Sequence, residues 1–136
     1  MAVEYIAQAQ IVEPGANIVF SGSIPACGSR GVRRRDGSGI VTIRGNQCGA
    51  QRVARFTGNI AIPTGGTVGE ISAALTLDGE ALPASEMIVT PAAVEEFWNI
   101  STQALFVAGC CCDSIAVRNT SDQAISLSGG NLIIDD

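Results

Sequence analysis

Residues Gly109 to Asn119 read GCCCDSIAVRN: three consecutive cysteines, then Asp113 and an alternating apolar run. Cys110, Cys111 and Cys112, with Cys27 in PACGS and Cys48 in NQCGA, account for all five cysteines of the 136-residue chain. Such thiols can ligate a metal, run redox exchange or form disulfides. A structural zinc site wants four ligands, usually two well-spaced pairs. Cys27, Cys48, Cys110 and Cys112 would supply four thiolates, but there is no CxxC pair. A dithiol redox catalyst would carry a CxxC at a helix start, also missing. Adjacent cysteines rarely bridge each other, because a relaxed disulfide needs a different geometry. Each therefore wants a distant partner: Cys27 with Cys48, or either one with the triplet. Five cysteines leave one over, as a free thiol or an intersubunit bond. Disulfides within or between subunits rank first, unpaired thiols in a packed loop second, and a metal third.

Other chemistry is sparse. The chain has no histidine, and its eight basic residues are all arginine. That removes Ser-His-Asp and Cys-His catalysis, histidine metal sites and an imidazole acid–base. The acidic pairs Glu95-Glu96 and Asp135-Asp136 are adjacent rather than set across a cleft, so they read as solvated and not as a glycosidase pair. We expect no catalytic residues, no cofactor and no metal. The segment SRGVRRRDGSG gathers Arg30, Arg33, Arg34 and Arg35. Its plainest reading is a solvated loop. Its functional reading is a grip on an acidic surface, since the planar guanidinium holds carboxylates with two bonds. Trp98 follows Phe97, so alternation points one inward and one outward. An outward Trp98 suits an interface first and sugar stacking second. The sequons at Asn99 and Asn119 carry little weight without a signal peptide.

Net charge is −5, which opposes nucleic-acid binding, since that needs a positive field over the contact face. Hydrophobic residues make up 46% of the chain, yet no run approaches the ~20 apolar residues of a membrane helix. The N-terminus, MAVEYIAQAQIV, lacks a basic n-region and a continuous apolar core, so it reads as strand rather than leader. Synthesis and folding in a reducing cytoplasm are expected, with any disulfide forming later in an oxidising medium.

Period-two alternation runs through residues 38–62, 68–77 and 113–134. Ile71, Ala73, Leu75 and Leu77 share one face, with Ser72, Ala74 and Thr76 on the other, which predicts a half-buried strand. It ends at Asp78-Gly79, which suits a type I′ hairpin turn. Phe56, Gly58, Ile60 and Ile62 share a face, as do Val41 and Ile43. Ile125 and Leu127 precede a Gly-Gly turn and a last strand through Leu132 and Ile134. TPAAVEEFWNIS reads as a short turn running into a strand. About eight to ten short strands between Gly, Pro, Asn and Asp turns predict one all-β domain over residues 1–136, a sandwich or barrel.

Leu77-Asp78-Gly79-Glu80, then Ala108-Gly109 with Asp113, then Ile115 to Asn119, and finally Asn131 to Ile134 resemble the strand ends of complement and tumour-necrosis-factor-type jelly-roll heads. The chain is more similar still to their bacterial and phage relatives, such as the C-terminal heads of collagen-like exosporium glycoproteins. The likeness spans about residues 50 to 136 and is loose before that; the three cysteines stand where relatives show a plain turn. The resemblance implies an antiparallel jelly-roll β-sandwich that associates as a homotrimer and serves in structure or attachment. The expectation is a non-enzymatic protein on the surface of a larger particle. A phage capsid decoration or head-fibre protein comes first, with a major capsid protein as partner and the virion surface as location. A carbohydrate- or receptor-binding module on a spore or virion is the alternative.

Overall fold

The computed structural model describes residues 2–24, 37–44, 49, 51–107 and 112–135, with backbone alone at 32–34 and 44. Two antiparallel six-stranded sheets face each other. Sheet A contains β1 (Val3–Ala7), β2 (Gln10–Val12), β3 (Gly22–Ile24), β6 (Gln51–Ala61), β10 (Trp98–Val107) and β12 (Ile125–Asp135). Its order is β10-β6-β12-β1-β3, and β2 continues β1 along the same edge of β12. Sheet B contains β4 (Val32–Arg34), β5 (Val41–Arg44), β7 (Ile71–Leu77), β8 (Glu80–Ala81), β9 (Met87–Val89) and β11 (Cys112–Asn119). Its order is β4-β5-β11-β7, with β8 and β9 both on the outer edge of β7. The connections from β5 to β6, β6 to β7, β9 to β10, β10 to β11 and β11 to β12 each cross between sheets, which makes a jelly roll. The twelve strands among the described residues exceed the expected eight to ten because the edge partners of β7 and β12 are short pieces.

Alternation builds the core. Ala54, Phe56, Ile60 and Ile62 from the β6 region and Leu127, Leu132 and Ile134 from β12 meet Val41, Ile43, Leu75, Ile115 and Val117 from sheet B. Tyr5 packs its ring 6.3 Å from that of Phe20. Each side chain this size, fully buried, contributes about 1.5–3 kcal/mol. No α-helix occurs among the described residues; a 3-10 turn at Pro83–Ser85 is the one helical element there. It separates β8 from β9 where the β7 edge would otherwise lie open. The Ser85 hydroxyl fills the gap, accepting from the Leu75 N–H at 3.0 Å and donating to the Leu82 carbonyl at 2.7 Å. TPAAVEEFWNIS is turn followed by strand, as expected, with β10 starting at Trp98. Asp78 and Gly79 have φ of 52° and 88°, the two positive values a type I′ turn requires.

Two expectations need correction. β7 is buried on both faces, not half-buried. Ser72 meets the Thr120 hydroxyl at 2.7 Å, and the Thr76 hydroxyl reaches the Ala116 carbonyl. Its polar face is thus satisfied inside the protein. Nor does a turn break residues 125–135: they form one strand, with a bulge between Leu127 and Gly129. The Gly-Gly pair serves close approach. A Cβ on Gly130 would lie 2.8 Å from the Thr57 carbonyl oxygen and 3.2 Å from both the Phe56 ring and the Gly58 Cα.

This contact predicts that Gly130→Ala destabilises by about 1–3 kcal/mol, the range for overpacking a tight interior. Gly22→Ala, whose Cβ meets open space, should change stability by less than about 0.5 kcal/mol. Urea unfolding of both variants checks the contrast.

Candidate functional site

The sandwich has two ends. At the base, β6 begins and β10 ends, with Gln51 opposite Val107, while β5 ends and β11 begins, with Arg44 opposite Cys112. At the apex, Ile60 faces Trp98 and Ala73 faces Asn119.

Cys27, Cys48, Cys110 and Cys111 lie outside the described residues, as do Arg30 and Arg35. Cys112 is exposed and forms the first position of β11, one step further into the strand than expected. Arg33 and Arg34 belong to β4, opposite Thr42 and Val41, so this part of the arginine segment is edge strand and not loop. Pairing along β5 gives the short β4 its place. The described strand ends nearest the cysteines share one end of the sandwich. Ile24 precedes Cys27 by three positions, Arg44 precedes Cys48 by four, and Val107 precedes Cys110 by three. No group of three or more His, Cys, Asp or Glu that could hold a metal ion occurs among the described residues.

The outer face of sheet A is the second region, and sequence reasoning missed it. The ladders fix its rows. Nearest the base, Val107 lies beside Gln51, and Leu105 beside Val53 and Asp135. The next row runs Gln103, Arg55, Ile133, Glu4, Ile24. Above it come Ser101, Thr57, Asn131 and Ile6, and then Asn99 and Asn59. Leu105 is 65% exposed, Val107 59% and Ile24 56%. The basal rows therefore carry five aliphatic residues, Val107, Leu105, Val53, Ile133 and Ile24, among the charged Arg55, Glu4 and Asp135, and the apical rows carry no charge, with Asn99 Nδ2 donating to Asn59 Oδ1 at 3.1 Å. The available signal was the run ALFV in β10, apolar at both parities where Ser101 and Gln103 had kept one face polar.

The apex carries two open clefts of about 670 and 640 Å³, which share Thr67 and Gln123. Their walls are tied down by hydrogen bonds. Gln123 accepts from the Thr67 N–H at 3.0 Å and donates to its carbonyl at 2.7 Å. Asn119, fully buried, is the anchor beneath. Its amide donates to the carbonyls of Val12 and Gln123, and its oxygen accepts from the backbone N–H and hydroxyl of Ser121. The Asn119 sequon is thus inaccessible in the folded chain. Glu95 is not simply solvated: it holds a left-handed φ of 59° while its carboxylate accepts from the Thr64 N–H at 3.0 Å. Glu70, Glu86 and Asp122 rim the larger cleft. Arg118 reaches away from it, donating to the Gly79 carbonyl at 2.8 Å.

Trp98 and Phe97 are both exposed, at 47% and 43%, against the expectation that one would turn inward. Phe97 precedes the strand, so alternation does not govern it. Trp98 begins the edge strand, where the sheet ends and little lies above it. Its indole N–H donates to Glu96 Oε1 at 2.9 Å, leaving the ring half open.

Scans of protein-family models and of characterised sequences find no match to the chain. Solved structures do match. Eiger TNF from S. frugiperda superposes with a TM-score of 0.72 at 13% identity, covering 100% of this chain and 92% of that one. The globular domain of a zebrafish complement 1qA protein gives 0.66 at 9% identity, covering 96% and 94%. Murine APRIL gives 0.64 at 13%, covering 99% and 98%. The fold is therefore the complement/TNF-like jelly-roll head, and the likeness takes in residues 1 to 49, where sequence patterns were loose. At these identities it is the fold that is shared.

Proposed function

We propose that this chain is a non-enzymatic structural head that assembles with copies of itself and is mounted, base down, on the surface of a larger particle. The observation that carries the reading is the outer face of sheet A. An array of Leu105, Val107, Val53, Ile133 and Ile24 at the basal end of the outer face is the kind of surface a self-interface buries. Resemblance to jelly-roll heads suggests three copies about a threefold axis. No helix among the described residues is long and apolar enough to cross a membrane.

The particle we favour is a phage virion, with this protein as a capsid decoration or head-fibre component and a major capsid protein beneath it; a spore surface is the alternative. Arg30, Arg33, Arg34 and Arg35 would grip acidic groups there. A second reading, glycan or receptor recognition, draws on the apex, where two open clefts lie at the same end as the half-open ring of Trp98. In that case the head would present the apex outward, and its stability would rise with bound sugar.

The cysteines fit a redox-timed staple in this scheme. Thiols stay reduced while subunits fold and assemble, then close when the particle reaches an oxidising medium. With flanking strand ends at one end of the sandwich, Cys27, Cys48 and the triplet can find partners within or between subunits. Each unstrained bond adds about 2–4 kcal/mol.

Three outcomes are expected. Leu105→Asp with Val107→Asp should leave the circular dichroism spectrum unchanged and yield monomers by light scattering at micromolar concentration; assembly equal to wild type would remove this face from the interface. Changing Arg33, Arg34 and Arg35 to Ala should weaken attachment to the particle and flatten its salt dependence. Peptide mass mapping of air-exposed protein should find disulfides from the triplet, and reduction should lower the melting temperature without unfolding. Five free thiols after oxidation, or stoichiometric zinc whose removal unfolds the chain, would sink the staple.

A further inference from the structure

Arg55 is the one cation on the outer face of sheet A among the described residues of that face. It stands in the middle strand region of the row Gln103, Arg55, Ile133, Glu4, Ile24. It is exposed, and its guanidinium makes no hydrogen bond or ion pair among the described residues. Below it lie Leu105 and Val53, beside it Ile133, and diagonally below it on β12 Asp135, the one charged residue next to it on the face.

A guanidinium can stay in such a place while water covers it. Once the face is covered by protein, the charge loses its hydration and needs an anion. Two carboxylates share the face. Asp135, one row toward the base, already has a partner. Glu4 shares the row of Arg55 and is half-buried, and one of its oxygens, Oε2, accepts from Asn131 Nδ2 at 2.5 Å. A carboxylate accepts several hydrogen bonds, so Glu4 retains capacity on Oε1. Within one chain the two residues are separated by β12, about 10 Å at normal strand spacing, and they do not pair.

We propose that Arg55 of one copy pairs with Glu4 of the next across the outer face of sheet A, and that this pair sets the register in which copies assemble. The inference rests on the self-association reading above. A closed ring of identical subunits gives each copy one Arg55 and one Glu4 to offer, so every cation meets an anion and none is left over. A shifted register would instead bury Arg55 against Leu105 or Ile133, or set two arginines together, which disfavours it. The apolar residues supply the drive to associate. The ion pair supplies the choice among the ways neighbouring copies can meet around the ring.

Charge reversal and its rescue test the pair. Sedimentation velocity on the full chain should show Arg55→Glu and Glu4→Arg each weakening self-association by about tenfold or more, as for like charges forced together at an interface. The double variant, with the charges exchanged, should recover most of that loss. Arg55→Gln, which removes the charge without reversing it, should fall between wild type and Arg55→Glu and guards against misfolding of the reversed variants. Self-association of Arg55→Glu at wild-type strength would overturn the pair while leaving the self-interface standing. A double variant no better than either single one would also overturn it, and would point to a different chain as the occupant. A wild-type protein that stays monomeric throughout would remove both the pair and the reading beneath it.

Discussion

Much of the molecule depends on the alternation of one strand. β6 is hydrogen-bonded along both edges, to β10 on one side and β12 on the other. Every second residue must therefore face the core, and Ala54, Phe56, Gly58 and Ile60 do so. The residues between them have no choice but to face out. Val53, Arg55, Thr57 and Asn59 occupy the outer surface because the core has claimed their neighbours. A slip of one residue would exchange the two sets and place Arg55 among buried aliphatic side chains. The packing that stabilises the fold and the pattern presented to a partner are thus two sides of one register.

Glycine makes that register tight. Gly58 and Gly130 stand opposite each other in the ladder, and their missing side chains let the Phe56 ring fit against the backbone. The bulge at Leu127 and Gly129 then resets β12, so that Ile125 and Leu127 still point inward beyond it. At the apex the same economy is reached with polar groups. Asn119 ends β11 and ties together the start of the loop at 13–16, the crossing at 120–124 and, through Ser121, the first residues of β7. Buried amides satisfied in this way hold crossing loops that have little apolar surface to bury.

Several of these features were legible in the sequence for identifiable reasons. The inward faces of β6, β7 and β11 showed as period-two runs, and Asp78-Gly79 announced a hairpin through backbone chemistry that few other residue pairs satisfy. Residues 129–130 misled because Gly-Gly has two uses, a turn or a close approach, and only the facing Gly58 and Thr57 carbonyl decide between them. β7 misled because Ser72 and Thr76 look solvent-facing until the hydroxyls of Thr120 and Ser121 reach Ser72 from 48 and 49 positions away and the Ala116 carbonyl meets Thr76 from 40. The outer face of sheet A was hidden for a similar reason. Leu105, Val53, Ile133 and Ile24 come from four separate strands, and no local window contains them together. The chemistry of the cysteines could be weighed by type and spacing, but their partners depend on which loops share an end of the sandwich, a property of the topology.

The fold is a jelly roll whose sheet A exposes aliphatic residues at one end of its outer face, and the central claim is that copies of the chain cover it. The most direct measurement is the mass of the wild-type protein in solution, followed by sedimentation velocity from high micromolar to nanomolar concentration under reducing conditions. Reduction excludes disulfides as the cause of any assembly. The account predicts a species of three chains that persists into the low micromolar range and dissociates to monomer without an intermediate. A monomer at every concentration, with the sandwich intact by circular dichroism, would contradict it.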